Sequence, residues 1–198
     1  MRRSKTQKMV GIAMLAAIGY ILMYLAFPVI PGFQFMKVDL SEIPILIATY
    51  LFGPVAGITT AFIRSLLYFL TRGGGLESLI GNLSSFVAAI TFVLPAYFLT
   101  KSHRSKHSLY FGLGVGTLIM TIGMSLMNYY FALPLYFKVL NFDVGLPFMQ
   151  YVLVAVIPFN LIKGVIVSGV FVLIHGKLLP WLIKKQGLPQ TNQLKSTK

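Results

Sequence analysis

Long apolar runs recur along this chain, and they constrain its fold more than any other feature. The last of them, VLVAVIPFNLIKGVIVSGVFVLI at residues 152–174, exceeds the roughly 20 residues with which an α-helix crosses a hydrocarbon core. Of the 198 residues, 57% are hydrophobic and only 11% are charged. The pattern therefore predicts an all-α, polytopic membrane protein.

The apolar runs and the breakers between them predict six transmembrane helices. The first, at residues 9–27, is followed by PVIPGF rather than by a cleavage site, so we interpret it as a retained span and not as a signal peptide. Gly53 and Pro54 form a sharp break between two shorter pieces. The other five helices are predicted at residues 43–52, 55–70, 79–99, 108–137 and 148–175.

The charged residues predict how the chain is oriented. Basic residues lie near both termini and at residues 101–106, whereas the four acidic residues, Asp39, Glu42, Glu77 and Asp143, fall between those segments. The positive-inside rule then places both termini in the cytoplasm and requires an even number of spans. We divide the chain into a basic N-terminus (1–8), a membrane domain (9–175) and a basic tail (176–198). This distribution accounts for the net charge of +13 without a nucleic-acid partner.

Several functions are disfavoured by what the sequence lacks. The spans leave no room for a nucleotide-binding domain, and no GxxxxGK[ST] string occurs, so energy must come from a gradient or a partner. No GxSxG or HExxH string occurs either, and the histidines lie in or beside the basic segments. A membrane enzyme is therefore disfavoured, and neither a metal site nor a cofactor is predicted. The absence of cysteine indicates nothing about the compartment.

Three polar residues lie deep inside the predicted helices. Asn160 and Lys163 are about 18 and 22 Å from the start of the sixth helix, and Asn128 is about 15 Å from the end of the fifth. A charge at the bilayer centre costs roughly 2.5 to 3.5 kcal/mol. Since none of the four acidic residues is expected at that depth, we predict that Lys163 faces a ligand or water. Hydrogen bonds between helices are the alternative role for the asparagines.

Other polar and aromatic residues remain open to two interpretations. Arg64 is expected near a helix end, where it would extend its charge to the interface or serve a structural role. The string KVDLSEIP places Asp39 and Glu42 just before a helix, where they could cap its N-terminus or contact a ligand. Leu40 and the stretch NYYFALPLYF, which includes Tyr129, could anchor the membrane interface or line an outward-facing pocket for a flat, partly apolar molecule.

Four strings together resemble a known family: FMKVDLSEIPILIATYLFGPVAGITTAFIRSLLYFL, GNLSSFVAAITFVLPAYF, MNYYFALPLYF and VIPFNLIKG. The order of D-x-S-[DE]-[IV]-P, F-G-P-x-A-G and P-x-N-x-x-K is similar to that of the riboflavin-specific substrate-capture subunits of energy-coupling factor transporters, over most of residues 9–175. The resemblance implies a six-helix subunit of the cell membrane that binds the vitamin on its outer side. It also implies a shared transmembrane subunit and two cytoplasmic ATPases as partners.

The resemblance assigns roles to particular residues. By position, Asn128, Asn160 and Lys163 are implied to contact the flavin or its ribityl chain, and riboflavin is then a substrate rather than a cofactor. We place Asp39, Leu40 and Tyr129 in the same predicted binding site.

The first helix carries Ala13 and Ala17 at a spacing that allows close approach of another helix, within this subunit or from a partner. The resemblance favours docking on the shared subunit. A capture subunit for another vitamin, or an envelope assembly protein without transport activity, remains the alternative.

Overall fold

The computed structural model describes residues 5–31, 33, 36–73, 75–102, 106–140 and 145–185, and it is predominantly helical. Its elements, in chain order, are α1 (Lys5–Tyr24), β1 (Phe27–Pro28), β2 (Lys37–Val38), α2 (Glu42–Phe52), α3 (Pro54–Thr71), α4 (Leu76–Ser102), α5 (Lys106–Met127), a first π-helical segment (Asn128–Ala132), α6 (Leu133–Leu140), α7 (Phe148–Tyr151), a second π-helical segment (Val152–Val156) and α8 (Ile157–Lys185).

The six predicted helices are confirmed, with differences at their ends. Five helical stretches are long and apolar enough to cross a membrane, while α2 is shorter. The first helix ends at Tyr24 rather than at residue 27, and the last continues to Lys185, beyond the predicted boundary at residue 175. Predictions that fall on residues 1–4, 103–105, 141–144 and 186–198, including much of both basic termini, lie outside the described residues.

A glycine–proline pair separates α2 from α3, as the sequence predicts. Gly53 adopts a φ of 93°, which favours glycine because it has no Cβ, and Pro54 begins α3 at a position where a missing N–H costs little. The chain therefore turns sharply at residue 53, and α2 and α3 pack against each other.

One end of the bundle brings together the C-terminal parts of α2, α4 and α8. The Tyr50 ring lies 5.6 Å from that of Tyr97 and 5.8 Å from that of His175, measured between centroids. Lys101 stands over the Tyr97 ring at 5.9 Å. Because it carries one of the basic segments, we call this end the basic end.

The opposite end, here the loop end, joins α1 to α3 and carries the connection from α1 to α2. The hydroxyls of Tyr24 and Thr71 lie 2.9 Å apart. Residues between α1 and α2 form a short antiparallel ribbon, in which Phe27 pairs with Val38 and Pro28 with Lys37. This ribbon begins where the sequence analysis expected the last turn of the first helix.

Both π-helical segments interrupt helices that the sequence analysis predicted as continuous. In each segment the closing N–H, from Leu133 or from Ile157, bonds to the carbonyl five residues earlier. A proline follows at once in both cases, Pro134 and Pro158. Because proline has no N–H and crowds the preceding turn, a wider turn beside it avoids part of the strain of an interior proline.

Small residues allow the helices to pack closely. A Cβ placed on Gly112 or Gly116 would lie 2.8 Å from the Ala96 carbonyl oxygen or 2.6 Å from that of Phe92, so α5 approaches the backbone of α4. The Gly112 and Gly116 pair therefore serves packing inside the subunit. Large apolar side chains such as Val55, Ile122 and Leu173 are 61 to 75% exposed, as expected for a bundle whose surface faces lipid.

Candidate functional site

The short length of α2 brings acidic residues into the middle of the bundle. With 11 residues, α2 is about 16 Å long, roughly half of a hydrocarbon core of about 30 Å. It ends at the basic end, so Glu42 at its N-terminus reaches only about mid-depth. Lys163 lies about 18 Å along α8 from His175, which is at the same end. The two side chains therefore meet in one layer.

Lys163 is paired with two carboxylates. Its Nζ lies 2.7 Å from Oε1 of Glu42 and 3.6 Å from Oδ2 of Asp39, and all three residues are buried. The expectation that no acidic residue reaches the depth of Lys163 is therefore wrong. After β2 the chain passes inward, with Val38, Asp39 and Ser41 buried, and this places residues 39 and 42 well below the loop end.

Glu42 is fully buried and its two carboxylate oxygens are only partly satisfied. Oε1 is paired with Nζ of Lys163 at 2.7 Å, whereas Oε2 has no hydrogen-bond partner among the described residues. A buried carboxylate is costly unless it is paired and hydrogen-bonded. Glu42 therefore retains capacity to accept a hydrogen bond from a donor in this layer.

Asp39 is held by the serine that follows it. Its Oδ1 accepts the backbone N–H of Ser41 at 2.9 Å and also the Ser41 hydroxyl. Ser41 occupies the N-cap position of α2, yet its side chain makes no cap hydrogen bond. In place of a cap, it connects Asp39 to Arg64.

Arg64 is completely buried, so the expectation that it extends to the interface is wrong. One of its terminal nitrogens donates to the Ser41 hydroxyl, and the other donates to Ser65 Oγ at 3.2 Å and Ser85 Oγ at 3.1 Å. Its position in the eleventh place of an 18-residue helix explains this, since it is about 15 Å from Pro54. We refer to Asp39, Glu42, Arg64 and Lys163 as the charged cluster.

The two predicted asparagines bond within their own helices. Asn160 is buried one turn from Lys163, and its Nδ2 donates to the Val156 carbonyl at 2.8 Å. Asn128 is half-buried at the start of the first π-helical segment, and its Nδ2 donates to the Met124 carbonyl at 2.8 Å. Among the described residues, neither amide forms the interhelical bond that was the alternative interpretation. Both remain predicted contacts for a ligand.

Leu40 and Tyr129 belong to different apolar clusters. Leu40 is half-buried and packs on the main core, which is built by α2, α4, α5 and α8. Tyr129 packs on a second, smaller cluster around Tyr151 and Val152 toward the loop end. The two π-helical segments contact each other and bring Tyr129 beside the chain that leads to Asn160. The structure thus brings Asp39 into contact with Lys163, with Asn160 one turn from Lys163 on α8, while Leu40 and Tyr129 lie in separate apolar clusters.

Comparison with known proteins now identifies the family. A family model described as "ECF transporter, substrate-specific component" matches residues 7–175. This chain belongs to that family. As an S component it is a multi-pass protein of the plasma membrane.

Curated relatives and a solved structure extend this result. The chain is 38% identical to a protein of Streptococcus thermophilus named riboflavin transporter RibU, over 91% of this chain and 87% of that one. It is 37% identical to riboflavin transporter FmnP of Bacillus subtilis, over 90% of this chain and 95% of the relative. A solved structure of the S component of a bacterial ECF transporter matches with a TM-score of 0.77 at 36% identity, covering 90% of this chain and 99% of the other.

The predicted docking residues of this S component lie on its surface. Ala13 and Ala17 are exposed, whereas the buried positions of α1, Ile12, Ala16, Gly19 and Met23, face the rest of the bundle. Because both alanines are on the outer face of α1, they do not serve packing within the subunit. Docking on a partner stays a prediction.

Sequence reasoning missed Glu42, Ser41 and Arg64 as parts of one buried network in this S component. For Ser41 and Glu42 the signal was the short helix that follows them. An apolar helix of 10 to 11 residues cannot span the core and must begin or end inside it. Counting from Pro54 also places Arg64 near the middle of α3. The inward path of residues 38–41, however, has no comparable signal in the hydrophobic pattern.

Proposed function

We propose that this S component binds riboflavin at the charged cluster and delivers it to a shared transmembrane subunit with two ATPases. The observation that carries the proposal is the buried layer formed by Asp39, Lys163 and Asn160, in a chain similar to named riboflavin transporters. The layer offers a cation, carboxylates and an amide on two different elements. These groups are suited to a ligand with many hydrogen-bonding atoms.

The chemistry of riboflavin fits such a layer. Riboflavin is uncharged and presents carbonyl oxygens, a ring N–H and several hydroxyls. Asparagine side chains can serve both its donors and its acceptors, Lys163 can donate to its oxygens, and Glu42 can accept from a hydroxyl. When all four groups are ionised, the charged cluster carries two positive and two negative charges and sums to zero. An uncharged substrate therefore adds no charge that the interior would have to compensate.

The loop end is the side from which we infer that substrate enters. The positive-inside rule puts the basic end in the cytoplasm, and with it both termini. The ribbon of β1 and β2 then faces the outside, and residues 39–41 continue from β2 to the charged cluster. Substrate from outside would reach that layer between this connection and the π-helical segments.

Energy for uptake is supplied, in this proposal, by the partner subunits. These 198 residues contain no GxxxxGK[ST] phosphate-binding string. Ala13 and Ala17 present a strip of small side chains on which another helix can approach closely. The protein itself is thus a capture subunit and not an enzyme.

The absorbance spectrum of the purified protein tests the identity of the substrate. Purified from detergent extracts, the wild-type chain should carry a flavin spectrum, and calorimetric titration after removal of the flavin should give one site per chain. A matched preparation of Asn160→Leu should retain less flavin. A colourless wild-type protein that also fails to bind added riboflavin would contradict the proposal and favour another vitamin or an assembly role.

A liposome experiment tests the division of labour. The isolated chain should bind riboflavin without accumulating it, whether or not ATP is enclosed, and accumulation should require the shared subunit and the ATPases. Liposomes with the ATPases and the shared subunit but without this chain serve as the control. Concentrative uptake by the isolated chain, driven by ATP or by an ion gradient, would overturn the capture role.

A further inference from the structure

We propose that Arg64 is the positioning residue of the substrate loop, residues 37–41, and that it links this loop to α1. The inference rests on the proposed function only in treating that loop as part of a riboflavin site. The geometry that carries it is independent of any ligand: the guanidinium of Arg64 bonds to the loop and to α4, and its stem lies beside α1.

The contacts of Arg64 join the loop to two helices. From α3, one terminal nitrogen donates to the Ser41 hydroxyl, and Ser41 in turn donates to Asp39. The other terminal nitrogen donates to Ser85 of α4, both to its hydroxyl at 3.1 Å and to its carbonyl at 3.3 Å. Asp39 is thereby fixed, through Ser41, to the frame formed by α3 and α4. A ligand contact made by Asp39 or Leu40 depends on that frame.

The partners of Arg64 are unusual for a buried cation. Among the described residues no carboxylate lies within ion-pair distance of it, and both acidic residues of the charged cluster pair with Lys163 instead. A buried charge with only neutral hydrogen-bond partners is costly. An aliphatic side chain would fill the same space at lower cost. The planar fork of arginine, however, holds two partners at fixed angles, which neither an aliphatic side chain nor a lysine ammonium does.

The stem of Arg64 packs directly on α1. A Cβ built on Gly19 would lie 3.4 Å from Cδ and 3.5 Å from Cγ of Arg64, and 3.6 Å from the Ser41 carbonyl oxygen. Gly19 therefore faces both the positioning residue and the substrate loop, with room for no more than a methyl group between them. It stands on the buried face of α1, opposite the exposed Ala13 and Ala17. A shift of α1 when its outer face is engaged would press on Arg64 and thus on Ser41 and Asp39.

Coupling of this kind is reciprocal. If engagement of α1 changes the position of the substrate loop, then substrate binding must change the affinity of α1 for its partner by the same factor. Arg64 provides one physical connection between the two events. Removing its hydrogen bonds while keeping its stem should therefore weaken substrate binding without altering the outer face of α1.

Substitutions at Arg64 and Ser41 test the positioning role through binding. Arg64→Met keeps an unbranched stem against Gly19 and should weaken riboflavin affinity at least tenfold by calorimetry, while Arg64→Lys should restore only part of it. Ser41→Ala should have a similar effect, and the double variant should be no weaker than the weaker single variant, because both act on one chain of hydrogen bonds. Additive losses, or wild-type affinity in Arg64→Met, would overturn the proposal.

A spin label tests the same role without a ligand. The chain has no cysteine, so Lys37→Cys introduces one labelling site on the exposed part of β2. In the wild-type background the label should be immobilised, and in Arg64→Met its spectrum should narrow. Leu126→Cys, on the exposed face of α5, is the control and should give the same spectrum in both backgrounds. An unchanged label at position 37 would exclude Arg64 as the residue that orders the loop.

Gly19 tests the link to α1. Gly19→Ala adds a methyl group at ordinary contact distance and should bind riboflavin like the wild type, whereas Gly19→Leu should displace Arg64 and weaken binding at least fivefold. In an Arg64→Ala background, where the stem is absent, Gly19→Leu should cause no further loss. A further loss in that background would show that Gly19 does not act through Arg64.

These readouts separate the two proposals. If wild-type protein fails to bind riboflavin, the proposed substrate is wrong, yet the spin label still reports whether Arg64 orders the loop. If riboflavin binds but neither affinity nor label mobility responds to Arg64→Met, the substrate stands and the positioning role is wrong.

Discussion

The charged cluster and the exposed face of α1 are built from opposite kinds of residue. The cluster gathers two cations and two carboxylates where no lipid reaches them, and each is compensated by a neighbour or by hydroxyls. The face of α1 presents Ala13 and Ala17, which carry no polar side-chain atoms and are exposed. The groups that can hydrogen-bond a substrate are inside the bundle, whereas the outer face of α1 carries small side chains on which another helix can pack closely. Capture and docking should therefore respond to different substitutions.

Bulky substitution on α1 should give the largest effect and separate the two regions completely. Ala13→Trp and Ala17→Trp hold an approaching helix away, so riboflavin uptake by cells with the full transporter should fall to background while calorimetric binding by the isolated chain is unchanged. Ile122→Trp, on the exposed face of α5, is the control and should leave uptake intact. Loss of binding with intact assembly would show instead that these alanines support the interior.

Removal of Lys163 should destabilise the charged cluster. Lys163→Met leaves Asp39 and Glu42 buried with one fewer cation, and breaking a buried pair from one side costs about 3 to 5 kcal/mol. The thermal midpoint in detergent should fall, and riboflavin binding with it. Adding Glu42→Gln returns the charge of the cluster to zero and should recover most of the thermal midpoint but not the binding. Equal midpoints for wild type and Lys163→Met would argue against a buried ion pair.

Asn160 should matter for binding more than for folding. Asn160→Leu removes an amide that donates to the Val156 carbonyl and is predicted to contact riboflavin, so affinity should fall by about 1 to 3 kcal/mol, roughly 5- to 150-fold. Ser168→Ala, elsewhere on α8, removes a buried hydroxyl with no partner among the described residues and is the matched control. Wild-type affinity in Asn160→Leu would place this residue outside the site.

Tyr24 should give the smallest effect. Its hydroxyl bonds to Thr71 at the loop end, where both side chains are exposed to the surroundings of the bundle. Tyr24→Phe should leave binding, uptake and the thermal midpoint within experimental error. A clear fall in uptake alone would extend the docking surface of α1 to its C-terminal turn and weaken the contrast with the charged cluster.

Much of the fold was predictable because lipid demands long apolar helices. The break at Gly53 and Pro54, and the short helix before it, follow directly from the sequence. The ends of the helices were less accurate, since the ribbon at Phe27 satisfies its backbone by pairing, which an apolar pattern does not distinguish from a last helical turn.

The site was only partly predictable. Lys163 and Asn160 were recognisable because polar residues inside an apolar run require compensation. The residue that compensates Lys163 was not recognisable. Glu42 was expected at the edge of an outer loop, and only the three-dimensional path of residues 38–41 carries it inward. Asn128 and Asn160 were expected to bond between helices or to a ligand. In the structure, the Nδ2 of each donates a hydrogen bond to a carbonyl one turn earlier in its own helix.

The two π-helical segments have a consequence for how substitutions should be interpreted along the fifth and sixth predicted helices, residues 108–137 and 148–175. A π-helical turn contains one residue more than an α-helical turn, so the residues after it are rotated by about 100° relative to an uninterrupted helix. A helical wheel drawn through the whole of the fifth or sixth span therefore assigns the wrong face to every position on one side of Asn128–Ala132 or Val152–Val156. Periodicity in a substitution scan should change phase at those two places, and deletion of a single residue there should rotate half of a span while leaving its length almost unaltered.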